Sequence, residues 1–114
     1  MRILIKWILL ASGGLASHAY SASFDCNLAK TDTEHTICIN SSVNDADVKM
    51  ATTYTILNRL VPMGTRSEIR DEQVKWLKLR DQCGKSVSCL LEVYKMRQQK
   101  LEIYLERIYR QGPF

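Results

Sequence analysis

Three stretches of the chain carry apolar residues at every third or fourth position, which is the spacing of one face of an α-helix. The first stretch contains Val43, Ala46, Met50, Tyr54, Leu57 and Val61. The second contains Ile69, Trp76 and Cys83, flanked by Leu77 and Leu79, with the polar Gln73 and Arg80 on the same face. The third contains Leu90, Tyr94, Leu101, Tyr104, Leu105 and Ile108. No alternating strand pattern competes, so the sequence predicts an all-α domain, a small bundle of three main helices plus a short N-terminal helix.

Capping and helix-breaking residues set the expected ends of the first two helices. The short helix is expected over residues 33–40, with Asp32 or Thr33 as its N-cap. The second helix begins near Ser42. Two residues that disfavour helix end it, Pro62 and Gly64.

The last two helices have their own boundary signals. Thr65 and Glu68 are three residues apart and predict a capping box at the start of the third helix. Gly84 is expected to end that helix. Ser88 is the expected cap of the last helix, which continues to about Tyr109.

The first nineteen residues have the pattern of an export signal. Arg2 and Lys6 give a basic start, an apolar run follows, and Ser17 and Ala19 fit the small-x-small cleavage pattern. We therefore expect a signal peptide over 1–19, cleavage after Ala19 and one helical domain over 20–114. The apolar run is too short to span a membrane, and no lipoprotein pattern precedes the first cysteine, so no stable membrane anchor is expected.

All four cysteines follow this leader, and in an exported chain they read first as two disulfides. Three pairings are possible. The local pairs Cys26–Cys38 and Cys83–Cys89 are favoured, although each N-terminal cysteine could instead bridge to the later pair. By loop entropy the longer local loop contributes about 3 kcal/mol and the shorter about 2 kcal/mol. An oxidising compartment, of which a bacterial-type periplasm fits best, follows from this interpretation.

The residues offer little for catalysis, metal binding or nucleic acid. His35 is the one histidine after the leader, and Asp45 and Asp47 do not face each other on a helix. Cys83 and Cys89 lie too far apart for a zinc knuckle, and no Cys-x-x-Cys motif occurs. Without the leader the chain has 14 basic and 12 acidic residues, too balanced for a nucleic-acid surface. We predict no enzyme activity, no catalytic residues, no metal and no cofactor.

Charged side chains stand on the apolar stripes. Gln73 and Arg80 share an arc of about 80° with Trp76, Arg97 lies among the apolar residues of the last helix, and Asp47 among those of the second. A buried charge is costly unless it is paired. The sequence thus predicts an interior ion cluster in which both arginines meet Asp47, with Glu34 as the other candidate acid. Such a cluster would fix helix register, or alternatively open as a pocket for an anionic group.

The same residues resemble the LprI family of lysozyme-inhibitor-like proteins from residue 24 to about 105. The resemblance is carried by Phe24, Asp25, Cys26, Glu34, Ile37, Cys38, Asp47 and Tyr54, then Gln73, Trp76, Leu77, Arg80, Asp81, Cys83, Cys89, Leu90, Tyr94, Arg97 and Leu101. It implies an all-helical exported domain and, for some members, inhibition of lysozyme. The partner it implies is a protein, a lysozyme or another peptidoglycan hydrolase, which this chain would bind and block without turnover.

Two loops are the candidate contacts with such a partner. A disulfide-closed loop is rigid and loses little entropy on docking, and this one carries Lys85, Ser86 and Ser88. Because a lysozyme cleft contains two carboxylates, a cationic, hydroxyl-bearing loop fits it. The other loop carries Met63 and Arg66. The alternative function is a non-inhibitory envelope protein that binds another partner or an anionic ligand.

Overall fold

The fold is described by a computed structural model over residues 22–112. A single 3-10 turn, Cys26–Leu28, precedes four helices: α1 (Asp32–Ile39), α2 (Ser41–Leu60), α3 (Met63–Asp81) and α4 (Val87–Gln111). The predicted fold class, three main helices plus a short N-terminal helix, is confirmed. The predicted leader and its cleavage after Ala19 lie outside the described residues.

Helix α2 packs most extensively against α4. Helix α1 packs against α2, and α3 packs against α4 over a smaller contact. The apolar stripes form the interface, since Val43, Met50 and Leu57 of α2 are buried, as are Leu90 and Leu101 of α4. A spacing of three and four residues keeps such side chains on one face, and burying that face provides most of the stability of each helix.

Both favoured disulfides are confirmed. Cys26 bonds to Cys38 and ties the N-terminal segment to α1. Cys83 bonds to Cys89 and ties the end of α3 to the start of α4. Gly84, between the latter two cysteines, has a φ of 58°, the left-handed conformation that glycine adopts at least cost. The prediction that Gly84 ends α3 is consistent with this geometry.

Three predicted helix starts need correction, those of α1, α3 and α4. Thr31, rather than Asp32 or Thr33, caps α1, where it forms a capping box with Glu34. The predicted start of α2 near Ser42 is confirmed, since α2 begins at Ser41, and the Asn40 side chain caps it by accepting the Val43 amide.

The predicted starts of α3 and α4 were also wrong. Pro62 is the N-cap of α3, and the Arg66 amide donates to its carbonyl, so Thr65 and Glu68 lie inside the helix and form no capping box. Proline already holds a φ suited to a helix start and has no amide hydrogen to satisfy, which lets α3 begin early. The cap of α4 is Ser86, whose hydroxyl accepts the Cys89 amide at 3.2 Å, and not Ser88.

Gly64 and Gly84 give a matched pair of stability predictions. Replacement of Gly84 by alanine should lower the free energy of unfolding by about 1 kcal/mol, because its backbone is left-handed and no atom near the new Cβ adds a clash. Replacement of Gly64, which lies in helix α3 with open space around it, should raise that free energy by about 0.5 kcal/mol. Urea unfolding of both variants checks this, and shifts of the same sign would contradict it.

Candidate functional site

The most enclosed polar group in the bundle is the Asp47 carboxylate on α2. Asp47 is 0% exposed. Its two oxygens accept hydrogen bonds from the Ser23 amide, from the Ser23 hydroxyl at 3.0 Å and from the Tyr94 hydroxyl at 2.7 Å. Asp47 therefore fastens the N-terminal segment to α2 and joins α2 to α4.

Tyr94 connects this carboxylate to α3. Burial raises the pKa of the Tyr94 hydroxyl, Asp47 raises it further, and Arg80 opposes them by lowering it. The result is a phenol that remains protonated and keeps donating to Asp47 over the ordinary pH range. Its ring also packs edge-on against Trp76, with the ring centroids 4.9 Å apart.

Arg80 lies in the interior at 6% exposure, and its acidic partner is its own neighbour. Its Nη2 atom lies 2.9 Å from Asp81 Oδ1, and its Nε donates to the same oxygen at 3.0 Å. Burial alone lowers the pKa of Arg80, but Tyr94 and Asp81 outweigh it and the pKa is raised. Arg80 is therefore a permanent cation in the wall of α3.

Arg97 lies in a second polar group, between α3 and α4. Its Nε donates to Gln73 Oε1 at 2.8 Å, its Nη1 lies 3.4 Å from Glu72 Oε1, and its Nη2 donates to the Ile69 carbonyl at 3.2 Å. Burial lowers the pKa of Arg97, and Glu72 opposes that shift. The Tyr104 hydroxyl donates to Glu72 as well. This carboxylate therefore contacts two residues of α4, Arg97 and Tyr104.

The predicted single cluster centred on Asp47 is therefore wrong. Arg80 pairs with Asp81 and Arg97 with Glu72, two acids that lie beside the apolar stripes. An arginine can bury its stem on an apolar face and still carry its guanidinium to a carboxylate at the edge of that face. Asp47 is satisfied by neutral donors instead.

Glu34 has a local role rather than an arginine partner. Its Oε1 accepts the backbone amides of Lys30 and Thr31 at 2.8 and 3.1 Å. These amides lower the pKa of Glu34, and Arg80 adds a smaller lowering effect. Glu34 thus belongs to the N-terminal cap of α1. Trp76 is likewise anchored to the backbone, since its Nε1 donates to the Val93 carbonyl at 3.1 Å.

The loop between α3 and α4, together with the first turn of α4, forms what we call the stapled corner, residues 83–89. The disulfide closes it from within, and the buried Thr33 of α1 holds it from outside by donating to the Gly84 carbonyl at 2.9 Å. Lys85, Ser86 and Ser88 are exposed on it, and the two serine hydroxyls lie 3.4 Å apart. The corner thus presents one cation and two hydroxyls on a fixed backbone.

The second predicted loop is mostly the first turn of α3, since Met63 and Arg66 both lie within that helix, and it presents less polar chemistry. Met63 is 76% exposed. Arg66 is engaged with its own fold, because its Nε donates to the Asn58 carbonyl at 2.7 Å and its Nη2 to the Val61 carbonyl at 3.2 Å. Arg66 closes the C-terminal end of α2, so Met63 is the exposed member of this predicted pair.

Three contributors were missed by the sequence reasoning: Ser23, Glu72 and Thr33. Glu72 precedes Gln73 in the sequence. Its helical spacing from the inward-facing residues of α3 could have placed it beside the apolar stripe. Ser23 and Thr33 act through contacts 24 and 51 residues away in the chain, for which the sequence carries no local signal.

Across residues 22–112, no three His, Cys, Asp or Glu side chains come together as a metal site would require. Within the same range, no helix has the length and apolar character needed to cross a membrane.

The family resemblance is confirmed by comparison with protein families. The model described as "Lysozyme inhibitor LprI" matches residues 26–110 of the chain. This range runs from the first cysteine through almost all of α4 and includes both disulfides. No curated protein and no solved structure matched the chain.

Proposed function

The chain belongs to the LprI family of lysozyme inhibitors, and on that premise we propose that it is an exported protein that binds a peptidoglycan-degrading enzyme and blocks its cleft. The action is steric and involves no turnover. Two disulfides support an oxidising compartment such as a periplasm, because such bonds persist there.

The observation that carries this proposal is the geometry of the stapled corner. The corner projects Lys85 between two helices, fixed by a disulfide and by the Thr33 hydroxyl. A rigid projection loses little conformational entropy on binding. Lysozyme-type glycosidases carry two carboxylates across their cleft, and an ammonium with flanking hydroxyls is the chemistry that pairs with them.

The proposal is tested by mixing the purified exported protein with a panel of muramidases of different net charge and measuring cell-wall lysis. A panel is needed because a mildly basic protein is not steered toward a strongly basic enzyme. Inhibition of at least one enzyme supports the proposal. Full activity of every muramidase at a large excess of the protein would reject it.

Within such an inhibited pair, Lys85→Glu should weaken inhibition by at least about 30-fold, since a like charge placed against a desolvated carboxylate costs several kcal/mol. Lys75→Glu makes the same charge change at an exposed position of α3 away from the corner, and should leave inhibition unchanged. The inhibition constant of each variant is the measurement. Equal effects of the two substitutions on the inhibition constant would show that the corner is not part of the interface.

A second candidate function rests on a groove of about 530 Å³ between α2 and α3. Its polar lining includes two arginines and one carboxylate: Arg70, Arg80, Gln73, Tyr54 and Glu34. This chemistry suits a small carboxylate or phosphate ligand, the alternative function of an envelope binding protein. Saturable binding of such an anion, abolished by Arg70→Ala and accompanied by no inhibition of any muramidase, would favour it.

A further inference from the structure

The outer face of α2 carries a stripe that is complementary to itself when two copies run antiparallel. On a wheel of about 100° per residue, its five members fall within roughly 40° of Thr52 on either side. The stripe, which we call the outer face, consists of Asp45, Val48, Thr52, Ile56 and Arg59. All five are exposed, opposite the buried residues of the same helix.

The positions on this stripe are symmetric about Thr52. Val48 and Ile56 are each four residues from it, and Asp45 and Arg59 are each seven residues from it. In an antiparallel pair centred on Thr52, each Val48 meets the other copy's Ile56. Each Asp45 then meets the other copy's Arg59. This is the arrangement of a two-fold interface, in which one patch binds an identical patch.

The side chains of the stripe are exposed, and Ala22 and Ser23 of the N-terminal segment border the groove beside them. Val48 is 40% exposed and Ile56 46% exposed, so both lose apolar surface on pairing. Within residues 22–112, neither Asp45 nor Arg59 takes part in a salt bridge. Their charges are thus complementary between copies, and within the described part of one copy they form no ion pair.

We propose that the outer face of α2 is a homodimer interface, in which two copies of this chain pair antiparallel about Thr52. One helix against one helix falls below the roughly 1,200 Å² buried by stable complexes. The dimer is therefore weak and forms at high local concentration. The stapled corner contributes nothing to this face, so each copy in the dimer keeps its corner free.

The test is sedimentation equilibrium of the exported protein from about 10 µM to 1 mM, the range in which an interface of this size dissociates. The expected result is a weight-average mass that rises from monomer toward dimer. Asp45→Arg and Arg59→Asp should each weaken association about tenfold, because two attractive pairs become repulsive. The double variant Asp45→Arg/Arg59→Asp restores both pairs, and its association should return to within about threefold of the original.

The matched control is Asp71→Arg, the same charge change at an exposed position of α3, which should not alter association. Circular dichroism verifies that every variant is folded. A monomer at all concentrations would overturn the proposal, and so would a double variant that fails to recover. It would also fall if the charge reversals changed muramidase inhibition while the protein stayed monomeric, since the face would then belong to the hydrolase contact.

Discussion

Replacement of Asp47 by alanine should lower the melting temperature by about 15 °C, the largest effect expected of any single substitution in this protein. The carboxylate is 0% exposed and accepts three hydrogen bonds. Its removal leaves the buried Tyr94 hydroxyl without a partner and opens a cavity. Together these cost about 3 kcal/mol, and 1 kcal/mol corresponds to roughly 4–8 °C in a domain of this size.

The control for this prediction is two residues away. Asp45 is also on α2 but exposed, so Asp45→Ala should change stability by less than about 0.5 kcal/mol. Thermal unfolding followed by circular dichroism compares the two variants directly. Equal melting temperatures for Asp47→Ala and the original protein would show that the carboxylate is not the tie between α2, α4 and the N-terminal segment.

Reduction of both disulfides should lower the free energy of unfolding by about 5 kcal/mol, of which Cys26–Cys38 contributes about 3 and Cys83–Cys89 about 2. Domains of this kind are stable by only about 5–15 kcal/mol in total, so the reduced protein is expected to be largely or wholly unfolded at 37 °C. Urea unfolding with and without a reducing agent measures the loss.

Paired substitutions separate the two contributions. Cys83→Ser with Cys89→Ser should leave a folded bundle with a loosened stapled corner, because α2 and α4 still pack through their apolar stripes. Cys26→Ser with Cys38→Ser should cost more stability while leaving the corner closed. The disulfide account would be contradicted if the reduced protein unfolded at the same urea concentration as the oxidised one.

The fold was predictable because its determinants are local. A stripe such as Val43, Met50 and Leu57 specifies one helix face whatever surrounds it, and the two disulfides join cysteines only 12 and 6 residues apart. The helix starts were less predictable, because several side chains can cap at each position. The N-cap of α3 is Pro62 and not Thr65, and the N-cap of α4 is Ser86 and not Ser88.

The interior pairs were predictable only in part. Stripe position alone indicated that Asp47, Arg80 and Arg97 lie inside, and they do, at 0%, 6% and 4% exposure. Which groups they contact depends on how far each side chain reaches and on which turn of the next helix lies opposite. The periodicity of a sequence does not contain that information, and the acids that proved to be partners, Glu72 and Asp81, lie just outside the stripes.

The polar interior and the exposed corner have different roles. The groups around Asp47 and Arg97 fix how the helices pack, and this packing together with Thr33 holds the corner still. Under the proposed function, binding then depends on the few side chains that the corner presents. Substitutions in the interior should therefore change stability, whereas substitutions on the corner should change inhibition at constant stability.

The most direct test of cleft occlusion is the steady-state rate of an inhibited muramidase on a soluble oligosaccharide, at rising substrate concentration and several fixed concentrations of this protein. Occlusion of the cleft by the stapled corner predicts competitive inhibition, in which the apparent KM rises and kcat is unchanged. Lys85→Glu should require much more protein for the same rise. A fall in kcat at constant KM, or no inhibition at any concentration, would contradict occlusion of the cleft by the stapled corner.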